Sequence, residues 1–74
     1  MNPAGTKDIQ IVVNGQVRNV PGGLSLAQVL ERLEVAPDRV AVELDGKIVR
    51  RQEWTGTPVA PAAVLEIVQF VGGG

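Results

Sequence analysis

Asn14-Gly15 stands between two runs rich in β-branched residues, Ile9-Gln10-Ile11-Val12-Val13 and Gln16-Val17-Arg18-Asn19-Val20. Asn-Gly tolerates positive φ at both central positions of a tight turn, the geometry whose twist matches that of the strands it joins. The stretch therefore predicts a β-hairpin and, with it, an antiparallel beginning to a sheet. A strict two-residue turn pairs Ile11 with Arg18, whereas a three-residue loop pairs Val13 with Val17 and aligns the apolar faces better, which favours the longer loop.

Pro21-Gly22-Gly23 breaks the second run, and Ser25 follows as an N-cap whose hydroxyl can accept the Gln28 amide hydrogen while the Gln28 side chain reaches back. Leu26, Val29, Leu30 and Leu33 recur at helical spacing, with Leu24 and Val29 at staple positions, and Pro37 ends the helix at or before Ala36. Val40 to Leu44 alternates as a strand. Asp45-Gly46 is a second tight turn, and Lys47 to Arg50 is a short strand after it. Arg51 to Trp54 reads as a single helical turn, Thr55 to Ala63 as an irregular connection carrying Gly56, Pro58 and Pro61, and Val64 to Phe70 as the final strand.

The 74 residues make one small domain, and a chain near that size buries only about 60% of the surface it exposes unfolded. A hairpin, one helix on one face and a last strand that must pair somewhere predict an α+β fold of two layers, with the β-grasp the natural candidate. Its sheet is mixed, of four to five strands. The last strand then runs between others, with Leu65 and Ile67 towards the helix. Val64, Val68 and Phe70 face the uncovered side and form an apolar patch leading into the tail. Residues 1–8 lack apolar periodicity and read as a flexible leader, 9–71 as the domain, and 72–74 as a flexible Gly-Gly-Gly tail.

Seven basic against eight acidic residues provide no diffuse field to draw the domain onto nucleic acid or anionic lipid. Without cysteine or histidine there is no disulfide, thiolate nucleophile or sulfur ligand, which fits a reducing compartment. No apolar run reaches a membrane span, and the expected location is cytoplasmic. The carboxylates are scattered singly, with no spacing of a metal site. Gly22-Gly23 lacks the wider glycine spacing and the lysine of a phosphate loop. Arg50-Arg51 beside Lys47 reads first as solvated and second as a dock for an acidic surface, while Trp54 reads as a core plug. Nothing here resembles the tuned titratable pair of an enzyme, and the chain is read as a non-enzyme.

The closing Val71-Gly72-Gly73-Gly74 is the exception. Glycines have no Cβ to block a narrow channel, they follow directly on a strand expected to be buried, and they end on Gly74. An α-carboxylate is ionised at neutral pH and resists nucleophiles. Adenylation by ATP would make it an electrophile, and sulfide or a persulfide would then displace AMP and leave a thiocarboxylate. Gly74 is thus the expected covalent site, with Gly72 and Gly73 supplying reach.

Val42-Glu43, Ile48-Val49 followed by Arg51 and Trp54, and above all Glu66-Ile67-Val68-Gln69-Phe70-Val71-Gly72-Gly73-Gly74 resemble the ThiS sulfur carriers of thiamin biosynthesis, a ubiquitin-like family related to MoaD. The likeness covers nearly everything from Ile9 onward. It implies a ubiquitin-like β-grasp, adenylation of Gly74 by a ThiF-type adenylyltransferase using ATP, sulfur from a cysteine desulfurase route, and donation to a ThiG-type thiazole synthase, with no cofactor bound. Val68, Phe70 and Val71 are the expected partner contacts, as apolar anchors on a polar surface. The chain departs from the family's usual pattern at Ala62-Ala63, where Gly-Asp is common, and at Arg50, where Pro is. A MoaD-type carrier for molybdopterin or another sulfur pathway, and a ubiquitin-like protein modifier, stand as alternatives with the same tail.

Overall fold

The computed structural model describes residues 7–70. Strands β1 (Asp8–Val13) and β2 (Gln16–Pro21) form the hairpin. Asn14 at φ 48° and Gly15 at φ 82° both lie in the left-handed region, and Ile11 pairs with Arg18, Val12 with Val17 and Val13 with Gln16. The longer loop expected from apolar matching does not form; the turn has two residues. The physical reason is that β2 is an edge strand. Arg18 can sit opposite the fully buried Ile11 and still reach solvent, so the turn's own geometry decides the register.

β1 begins at Asp8, paired with Pro21 and one residue ahead of the expected domain start. Beyond that pair the Gly22 amide donates to the Lys7 carbonyl at 2.7 Å. A Cβ on Gly22 would lie 2.8 Å from that same backbone oxygen, a distance no side chain tolerates, so glycine here permits the close approach.

Helix α1 (Leu26–Arg32) starts with the capping box: Ser25 Oγ accepts from the Gln28 amide and Gln28 Oε1 from the Ser25 amide. It ends at Arg32, within the limit expected at Ala36. Glu34 takes φ 59°, its amide donates to the Glu31 carbonyl at 3.0 Å and the Val35 amide to the Leu30 carbonyl at 3.1 Å. This paired closure is the usual exit through a left-handed residue, here formed without a glycine to announce it. Pro37 instead opens a 3-10 turn, Pro37–Arg39.

Strands β3 (Val40–Leu44) and β4 (Lys47–Val49) form the second hairpin, again with both turn residues left-handed, Asp45 at φ 52° and Gly46 at φ 85°. A 3-10 helix, Arg51–Gly56, and an irregular connection lead to β5 (Val64–Gln69). The sheet order is β2-β1-β5-β3-β4, with β5 parallel to β1 and antiparallel to β3. This five-stranded mixed sheet with one helix on one face is the expected ubiquitin-like β-grasp.

Between sheet and helix lie the fully buried Ile11, Leu26, Val29, Val42 and Leu65, each worth roughly 1.5–3 kcal/mol of burial. The irregular connection contributes Val59 and Ala63 to the same core, which periodicity did not reveal. It is tied down where the Thr57 carbonyl accepts from Leu26 and the Leu24 carbonyl from Val59, at 2.7 and 3.2 Å.

Candidate functional site

The two Asx-Gly turns lie far apart in sequence, and both end on β5. The Asp45 amide donates to the Val64 carbonyl at 2.8 Å, and Asp45 Oδ1 accepts from the Val64 amide at 2.9 Å. On the other side, the Asn14 amide donates to the Leu65 carbonyl at 2.9 Å. Its side chain then brackets the next accessible peptide groups, Nδ2 donating to the Ile67 carbonyl at 3.1 Å and Oδ1 accepting from the Ile67 amide at 2.7 Å. Finally the Phe70 amide donates to the Arg39 carbonyl at 2.7 Å. The strand is therefore positioned from its entry to Phe70. Asn14 and Asp45 were legible as turn residues; their partners across the sheet were not, because nothing local encodes them.

With β5 so placed, alternation sorts its side chains. Leu65 is fully buried and Ile67 half-buried on the helix side, while Val64, Glu66, Val68 and Phe70 share the opposite face. Val68 is 60% and Phe70 56% exposed, so these two expected contact residues stand together on the open side of the sheet. Cross-strand pairing sets Ala41 beside Val68 and Glu43 beside Glu66, with Ile48 on the far side of Glu43. Ile48 is 72% exposed, and it extends the apolar face in a way the sequence reading missed. The signal was present: with Val49 turned inward, period-two alternation turns Ile48 outward. Glu43 and Glu66, directly opposite in neighbouring strands, place like charges in the middle of that face.

Val71, Gly72, Gly73 and Gly74 lie outside the described residues. Of the other candidates, Ser25 is spent on its cap, and Arg51 forms an exposed ion pair with Asp38. Among the described residues no charged or polar side chain is buried, no group of three or more acidic, histidine or cysteine side chains could hold a metal ion, and no helix is long and apolar enough to cross a membrane.

Residues 11–74 match the model of the ThiS family. A thiamine biosynthesis protein, ThiS, from Geobacter metallireducens has a similar crystal structure at 33% identity and a TM-score of 0.77, covering 89% of this chain and all of that one. Its solution structure superposes at a TM-score of 0.72 over 89% of this chain and 88% of that one. Among curated proteins, a thiazole synthase of Paramagnetospirillum magneticum is 35% identical over 89% of this chain, and one of Magnetococcus marinus 33% over the same share. The chain spans 20% of the length of each of these two. An uncharacterized protein, ycf40, of Porphyra purpurea is 31% identical over 92% of this chain and 96% of its own length.

Proposed function

The chain belongs to the ThiS family, and from that premise we propose that it is a sulfur carrier of thiamin biosynthesis, itself no catalyst, whose cargo rides on the Gly74 carboxylate. In the first step a carboxylate oxygen attacks the α-phosphorus of ATP, pyrophosphate leaves, and a mixed anhydride with AMP forms. In the second a sulfide or persulfide sulfur attacks the glycyl carbonyl carbon and AMP leaves, which yields a thiocarboxylate after any S–S bond is reduced by a thiol. Each step would take place in the active site of a partner. A ThiF-type adenylyltransferase would supply the first and a cysteine desulfurase route the sulfur.

The observation that carries this reading is the anchoring of β5. It is hydrogen-bonded on both sides, buried at Leu65, and runs directly into Phe70 and the sequence Val71-Gly72-Gly73-Gly74. A rigid origin and a Cβ-free end suit delivery of a carboxylate into a narrow channel. Val68, Phe70 and Val71 would be gripped by the partner while Gly72 and Gly73 thread inward. A ThiG-type thiazole synthase is proposed as acceptor, supported by the two proteins of that name that carry a segment like this chain. Intact mass spectrometry after incubation with ATP, the adenylyltransferase and a sulfur source tests the proposal. Exchange of one oxygen for sulfur, localised to Gly74, is expected; an unchanged mass under conditions that activate another carrier contradicts it.

A further inference from the structure

Asn14 combines two properties that are independent of the tail. It precedes Gly15, whose lack of a side chain leaves the backbone nitrogen open to reaction, and no atom beyond Asn14, Gly15 and Gln16 lies within 4 Å of where a Gly15 Cβ would be. It is also solvent-exposed, with its side-chain amide held at both ends by the Ile67 peptide groups. Backbone pairing between β1 and β5 covers only Val12 with Val64 and Val13 with Leu65. The Asn14 side chain thus acts as an additional rung of that ladder, and past it the backbone of β5 pairs with β3 and the Phe70 amide with the Arg39 carbonyl.

We propose that Asn14 is a deamidation site kept in check by its grip on Ile67, and that its modification irreversibly weakens the hold of β1 on β5 at Ile67, while β3 keeps its pairing. The Gly15 backbone nitrogen attacks Asn14 Cγ, the Cγ–Nδ2 bond breaks and ammonia leaves, giving a succinimide. Water then opens the ring to aspartate or isoaspartate. Reaction requires the side chain to let go of Ile67 and turn back towards Gly15, so the fold slows it. The product cannot restore both bonds. An aspartate carboxylate can still accept from the Ile67 amide, but it has no hydrogen for the Ile67 carbonyl and sets an oxygen against it where Nδ2 now donates; isoaspartate also lengthens the turn by one main-chain carbon. Asparagine is a thermolabile residue in general; here its lability is coupled to the strand that leads to the tail.

The test ages the wild-type chain at mildly alkaline pH, folded and in denaturing urea, and follows the mass gain of amide-to-acid conversion, mapped to residue 14. Conversion roughly tenfold or more slower in the folded chain is expected, since it must await local opening. The converted fraction, separated by its extra charge, should then exchange the Ile67 amide faster than the unconverted chain while Val42 keeps its protection. Asn14→Asp provides the same comparison in homogeneous form; should it fail to fold, the aged wild-type fraction supplies the reading. Equal rates in the folded and unfolded chain, no conversion in either, or native protection at Ile67 after conversion would each overturn the proposal.

Discussion

Trp54 donates its indole Nε1 hydrogen to the Val49 carbonyl at 2.9 Å, while the residue as a whole is 5% exposed and belongs to the core cluster. One side chain thereby joins the 3-10 helix to the end of β4, an edge strand only three residues long. Trp54→Phe keeps most of the apolar bulk and removes the donor, and should cost about 1–2 kcal/mol. Trp54→Ala should cost about 3–5 kcal/mol. Urea unfolding midpoints at unchanged m-value measure both; a neutral Trp54→Phe would mean the bond adds nothing beyond packing.

Ala62 occupies φ 68° while its amide donates to the Gln10 carbonyl at 2.8 Å. A left-handed alanine costs roughly 1–2 kcal/mol that glycine does not incur, partly offset by glycine's greater freedom when unfolded. Ala62→Gly should therefore stabilise the domain by about 0.5–1 kcal/mol, seen as a rise in Tm.

Glu43 and Glu66 face each other across β3 and β5. Glu66→Gln removes a directly opposed like charge and should stabilise by a few tenths of a kcal/mol. Because both groups meet solvent, added salt should narrow the difference between the two proteins. Equal stability at low ionic strength would show that the carboxylates already turn away from one another.

Phe70→Ala separates folding from recognition. The side chain is 56% exposed, so unfolding free energy should change by less than about 0.5 kcal/mol. Adenylation and sulfur transfer should fall by about tenfold or more if the ring anchors a partner. Wild-type rates in both steps would remove Phe70 from the docking surface.

The hairpins, the helix start and the two faces of β5 were all legible, because Asn14-Gly15, Asp45-Gly46, the Ser25 box and period-two alternation are local signals. Three features were not. The hairpin register depended on β2 lying at an edge, where Arg18 meets water opposite a buried Ile11. The helix stopped at a left-handed Glu34, a residue with no marked preference for that role. Val59 joined the core from a segment with no periodicity at all, pulled in by backbone bonds to Leu24 and Leu26.

By itself, then, the amino-acid order determined which elements form, which β5 side chains face outward, and that Gly72, Gly73 and Gly74 follow them, since these depend on dihedral preference and short-period patterning. Only the tertiary structure decided how β5 is held. Asn14 reaches Ile67 across 53 positions and Asp45 reaches Val64 across 19, and such bonds exist only once chain folding has brought polar groups from separate turns against one strand. The position of the strand that leads to the tail is a consequence of that long-range closure, which no local pattern contains.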